Sequence, residues 1–162
     1  MPPDHRTGRR LLVLESAALR RPHLRHLVSL TDDGQELDLH YLTTAPATAP
    51  EAYTQIHSST PAPAPDAAVA CQLHVAMTST DPGALLAWYR DEHIPLLLRN
   101  PDWLAVRQYR RLRGTGEELL TVHDLTHPGA TDHPAWRTAT TTAWRDRVLG
   151  DVVRRTRRLY GC

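Results

Sequence analysis

LTVHDLTHPGATDHPAWRTATTTA (Leu120–Ala143) lies without gaps on LDLHYLTTAPATAPEAYTQIHSST (Leu37–Thr60) once Leu37 is set on Leu120. His40 then meets His123, Leu42 meets Leu125, and Tyr53 faces Trp136. Such self-similarity marks a duplicated structural unit. Working outward, HLRHLVSL (23–30) falls on WLAVRQYR (103–110), and RLLVLESA (10–17) falls on CQLHVAMT (71–78). The second copy carries one extra stretch, DPGALLAWYRDEHIPLLLRN (81–100), without a partner in the first.

Period and punctuation give the elements. AVACQLHVAM (68–77) is a compact apolar run that predicts a strand. Thr80 or Asp81 then caps a helix with Pro82 at its first position, where a missing N–H costs nothing. ALLAWYRDEHI (84–94) carries that helix, and Pro95 kinks it or ends its first segment near Ile94. WLAVRQYRRL (103–112) and ELLTVHDLT (118–126) read as a hairpin around Gly114-Thr115-Gly116. AWRTATTTAWRDRVL (135–149) predicts a second helix, and DVVRRTRRLY (151–160) a final edge strand. The order is β-α-β-β-α-β, the ferredoxin-like unit of an α+β protein. The first copy predicts three strands and one short helix near Pro50–Thr60. Residues 1–60 are thus a shortened repeat lacking the first helix, 61–67 a stiff Pro/Ala linker, and 68–162 a complete repeat. Two such sheets packed face to face make an α+β barrel within one chain.

Composition bounds the function. The chain has 162 residues, 41% hydrophobic and 23% charged, with a net charge of +1, which suits a soluble globular protein rather than a collector of nucleic acid or anionic membrane. All 19 basic residues are arginine. The run RRTRRLY (154–160) admits a phosphate or RNA contact or a solvated face, and the dispersed acids favour the solvated face. No apolar run reaches the length of a membrane span, and MPPDHRTGRR (1–10) lacks the apolar stretch of a secretory signal. Cys71 and Cys162 make a poor disulfide framework, so a reduced, cytoplasmic setting is expected. Cys71, in an apolar strand, is blunted as a nucleophile.

The segment Trp88-Tyr89-Arg90-Asp91-Glu92-His93-Ile94-Pro95, backed by Asn100-Pro101 and by the Trp136/Trp144 helix, resembles the EthD-like dimeric α+β barrel superfamily. That resemblance covers about 68–160 well and the first half as a shortened copy. It implies the barrel fold and a cavity between helix and sheet; members include cyclases, dehydratases, decarboxylases, isomerases, cofactor-free oxygenases and haem enzymes, among which architecture does not choose. The missing first helix argues for one site per chain and leaves a homodimer open.

Within this frame Tyr89 and His93, four apart on one helix face, pair a phenol with an imidazole suited to acid/base work; a histidine tying the helix end to a backbone carbonyl is the plainer alternative. His74 and His123, on neighbouring strands, are expected on one sheet face, where two rings that cannot both be charged would split their pKa values; packing at the barrel centre explains them equally. Trp88, Trp136 and Trp144 fill a core or line an apolar pocket. Arg107 or Tyr109 holds an enolate or carboxylate, or sits on a solvated face. In HDLTHPGATDH (123–133), strand alternation sends His123 and Asp124 apart, and no HExxH or CxxC spacing occurs, so a polar loop capped by His133 is preferred to a metal site. The expectation is a cofactor-independent enzyme that cyclises, dehydrates or isomerises an apolar, polyketide-like small molecule. A cofactor-free monooxygenase and a non-catalytic ligand-binding or partner protein are the alternatives.

Overall fold

A computed structural model describes residues 9–14, 23–30, 36–42, 51–60 and 68–162. The linker 61–67 lies outside the described residues, as does the His40 side chain. Among the described residues eight strands run β1 (Arg9–Leu14), β2 (His23–Ser29), β3 (Glu36–Leu42), β4 (Ala52–Ser58), β5 (Cys71–Ser79), β6 (Trp103–Arg113), β7 (Leu119–Leu125) and β8 (Val152–Gly161). Between β5 and β6 lie α1 (Pro82–Trp88), a π-helical turn (Tyr89–His93) and α2 (Ile94–Leu97). A 3₁₀ turn (Pro128–Asp132), α3 (Pro134–Ala139) and α4 (Ala143–Leu149) join β7 to β8. The protein is α+β. None of its described helices is long and apolar enough to cross a membrane.

The second half has the expected order. β8-β5-β7-β6 are hydrogen-bonded neighbours, each pair antiparallel. β4 extends this into a five-stranded antiparallel sheet by pairing with β6. The strands then close as β1-β3-β2-β8-β5-β7-β6-β4.

The first half departs from expectation at Pro50–Thr60, where strand β4 replaces the short helix. AYTQIHS (52–58) is rich in β-branched and aromatic residues, and pairing to β1 on one side and β6 on the other settles it as a strand. Among its described residues the first repeat carries strands alone. Its short β1–β2 connection has a topological consequence. β5 runs antiparallel to β7, whereas β1 runs parallel to β3. A helix of a dozen residues or more carries a chain back to start a parallel strand. Residues 15–22 are too few for that, and β1 is reversed.

Local chemistry positions the helices. The Asp81 carboxylate accepts from the Ala84 N–H at 2.9 Å, and Pro82 opens the helix as expected. Pro95 neither donates an N–H nor tolerates the carbonyl four residues back. The chain responds with the π turn, in which the Ile94 N–H reaches back to the Tyr89 carbonyl, and the helix continues through Pro95. The predicted helix 135–149 breaks at its threonines. The Thr140 and Thr141 hydroxyls donate to the Trp136 and Arg137 carbonyls, and Thr142 caps α4 through the Arg145 N–H. His133 caps α3 by accepting from the Ala135 N–H.

Candidate functional site

β5 divides the molecule into two cores by simple alternation. Cys71, Leu73, Val75 and Met77 face the helices and join a cluster with Leu85, Trp88, Tyr89, Ile94, Leu97, Trp103 and Leu125. Gln72, His74 and Ala76 lie on the other face, where Leu27, Leu39, Tyr53, Tyr109, Leu120, Val122 and Tyr160 fill the barrel interior.

The helix side gathers His93, Tyr89, His123, Trp88, Trp136 and Trp144. His93 stacks on Trp88 with ring centroids 4.3 Å apart and meets Tyr89 edge-on at 5.1 Å. The stack spans five positions, which the wider π turn aligns and a regular α-helix would not. His93 Nδ1–H donates to the Ala139 carbonyl at 2.9 Å, satisfying an orphan acceptor at the end of α3. Burial lowers the His93 pKa to about 4, keeping the ring neutral. The Tyr89 hydroxyl bonds with Thr121, and burial pushes its pKa up. The Trp103 indole N–H donates to His123 Nδ1 at 3.1 Å, so His123 carries its proton on Nε2. Burial, then the nearby His93, hold His123 well below the ordinary imidazole value. Trp136 stacks on Trp103 at 5.3 Å, and Trp144 packs partly buried against the same cluster. The space expected beneath the helix is filled by these side chains. His93 takes the plainer of its two roles.

The expectation that His74 and His123 share a face is wrong. His74 is opposite Val122, and His123 is opposite Leu73. Directly opposed residues project together, so the two histidines occupy opposite faces. A shift by one position is all that separates them, and a one-residue register change exchanges faces. His123 and Asp124 do part company, as alternation requires.

The barrel side carries a continuous buried polar chain. Arg107 grips Asp124 through two parallel bonds, Nη1 to Oδ2 at 2.7 Å and Nη2 to Oδ1 at 2.9 Å. Arg107 Nε donates to the Tyr109 hydroxyl at 3.1 Å. The Gln72 amide donates to Asp124 Oδ1 at 2.6 Å. With its NH₂ committed to the carboxylate, Gln72 offers Oε1, 3.1 Å from His74 Nε2. That nitrogen must therefore bear the His74 proton, leaving Nδ1 as the basic one. All five residues are buried. Tyr160 lies edge-on to His74 at 4.9 Å.

Beside this chain is a cavity of about 50 Å³ lined by His74, Tyr53, Glu117, Thr156, Arg158 and Tyr160 among others, room for a few waters or one functional group. Tyr53 donates to the Glu117 carbonyl at 2.8 Å, fixing the phenol at the cavity wall. Of the predicted residues, His74, Arg107 and Tyr109 belong to this side. Gln72, Tyr160 and the structural role of Asp124 are not among the residues the sequence points to. Gln72 and His74 were detectable as polar residues alternating with Cys71, Leu73 and Val75 in one strand. No group of three or more His, Cys, Asp or Glu able to hold a metal occurs among the described residues.

No protein-family model matches this chain, and no curated protein does. A solved structure described as that of a major regulator of staphylococcal pathogenesis superposes on it with a TM-score of 0.50. The match covers 86% of this chain and 84% of that one at 10% sequence identity, a likeness of fold.

Proposed function

We propose that this chain is a single-chain version of the dimeric α+β barrel, EthD-like in its second half, and a cofactor-independent acid/base enzyme. Its reaction is a cyclisation, dehydration or isomerisation of a small, polyketide-like metabolite in the reduced cytoplasm. The acting base is His74. The observation carrying this reading is the relay Arg107–Asp124–Gln72–His74, which fixes one imidazole tautomer beside a cavity whose other polar lining is two phenols, Glu117, Thr156 and Arg158. An imidazole held in one tautomer by an amide, itself fixed by a carboxylate, has the orientation a general base requires. The cavity admits one group, such as a carbonyl, with the substrate body outside it. Tyr160, edge-on to His74 at the cavity wall, would meet that oxygen, while Tyr53 stays bonded to the Glu117 carbonyl.

His74→Gln should lower turnover of a substrate found by metabolite screening by about 10²- to 10⁴-fold while leaving the thermal midpoint nearly unchanged. Unchanged turnover in that variant overturns the assignment of His74. Oxygen consumption during turnover would replace it with the monooxygenase alternative. The small volume of the cavity favours a second reading, a binding protein, which native mass spectrometry would reveal as a retained ligand without product.

A further inference from the structure

We propose that the outer edge of β8, around Arg155 to Arg157, is a strand-addition site for an extended acidic peptide segment of a partner protein. The argument begins with hydrogen bonding. β5 covers the inner edge of β8 along its length, from Cys71 opposite Gly161 to Ser79 opposite Val152. β2 covers the outer edge only at its end, pairing Val28 with Gly161 and Ser29 with Tyr160. The last bond runs from the Leu30 N–H to the Leu159 carbonyl at 2.9 Å. Since Leu159 turns its backbone outward, alternation turns that of Arg157 and Arg155 outward as well. Their two N–H and two C=O groups form a short ladder that no strand among the described residues pairs with.

Charge selects the occupant. Arg155 and Arg157 project on the helix side, and Arg154 and Arg158 on the barrel side. Arg157 lies over the Trp136 ring at 5.4 Å. Arg154 has Glu117 at 3.8 Å yet keeps 59% of its side chain exposed. A second copy of the chain would set arginine against arginine, and like charges directly opposed destabilise a strand pair. An acidic strand meets the opposite sign. Two exposed apolar residues, Val153 at 62% and Leu30 at 48%, bracket the edge and suit apolar residues at the ends of the incoming segment. A nucleic acid could use the guanidinium groups, but its phosphates have no donor for the outward carbonyls. Peptide backbone satisfies both kinds of group, as strand-adding ligands do. The added strand would run beside Thr156 and Arg158, which line the cavity, and would cover its approach.

The test uses the full chain and a fluorescent nonapeptide of alternating valine and glutamate, read by anisotropy. We expect saturable binding that weakens with salt and falls by about tenfold or more in Arg155→Glu/Arg157→Glu. Replacing glutamate by lysine in the peptide should abolish it. Methylating alternate peptide nitrogens, which keeps the charge and removes the ladder donors, should weaken it similarly. Arg155→Pro removes the outward N–H as well as the guanidinium that Arg155→Gln removes, without deleting a bond to β5. It should therefore lower affinity beyond Arg155→Gln, and the thermal midpoints of the two variants read any cost of the fixed φ. Equal binding of the methylated peptide, or of an oligothymidylate of matched charge, overturns the proposal. Absence of peptide binding, or a concentration-dependent dimer abolished by Arg155→Pro, overturns it equally.

Discussion

The two faces of the sheet β8-β5-β7-β6 bury histidine in opposite ways. On the helix face, His93 and His123 are neutral rings among tryptophans, each engaged through Nδ1 by a neutral partner, the Ala139 carbonyl or the Trp103 indole. On the barrel face, His74 hangs from a chain that ends in a fully buried ion pair. One environment excludes charge; the other contains it and compensates it. A histidine in the first is a packing element whose cost appears when it must ionise. In the second it is held in one tautomer next to a cavity, the arrangement chemistry needs.

The largest effect that separates the faces concerns Arg107 and Asp124, which are 3% and 1% exposed. Asp124→Ala leaves a guanidinium without its carboxylate in the barrel interior and should destabilise the fold by about 3–5 kcal/mol in urea unfolding. Arg107→Met/Asp124→Leu removes both charges and should recover much of that loss. A double variant as unstable as the single one would show that the pair is not insulated from water. On the helix face the corresponding effect depends on pH. His93 has a folded pKa of about 4 against 6.5 unfolded, so the unfolded chain binds protons more readily. Its contribution to stability is full above pH 6.5 and is lost as the pH falls toward 4, by about 3 kcal/mol. His123 shifts in the same direction. His93→Gln keeps an amide donor for the Ala139 carbonyl without an ionisable ring. It should flatten the fall in unfolding free energy over that window; identical slopes would place the acid sensitivity elsewhere.

The comparison also shows what the sequence disclosed. The repeat locates six of the eight described strands and the run DVVRRTRRLY a seventh, because the apolar alternation in LDLHYL and LTVHDL survives independently of the helices. It misplaces residues 52–58, since the segment aligned with them, AWRTATT (135–141), begins a helix in the complete copy. There the fate of AYTQIHS is decided by two neighbouring strands remote in sequence, which no local pattern records. The residues of the helix Trp88–Pro95 were found, but a resemblance cannot report that the side chains beneath them fill the available space. The sequence singles out His74 but does not show that it and His123 take opposite faces. Facing depends on register, and register is fixed by the pairing of β5 with β7 rather than by either strand alone. Gln72 escaped because an amide has no reactivity of its own; its importance is visible only once Asp124 and His74 stand on either side of it.

The smallest effect lies at the rim of the helix layer, where Glu92 distinguishes a bound charge from a buried one. Its Oε2 accepts from the Trp88 indole at 2.9 Å and from the Thr142 hydroxyl at 2.5 Å, linking the π turn to the cap of α4. Unlike Asp124, it is half-exposed, so water already solvates part of its charge. Glu92→Gln keeps an acceptor for both donors and weakens each bond by removing the charge assistance. The expected loss is about 1 kcal/mol, without any change in the pH slope attributed to His93. If the charge instead governed the neighbouring ring, the same substitution would move the His93 titration followed by its imidazole NMR signals. Stability and titration should separate here, because the Ala139 carbonyl rather than Glu92 holds that ring.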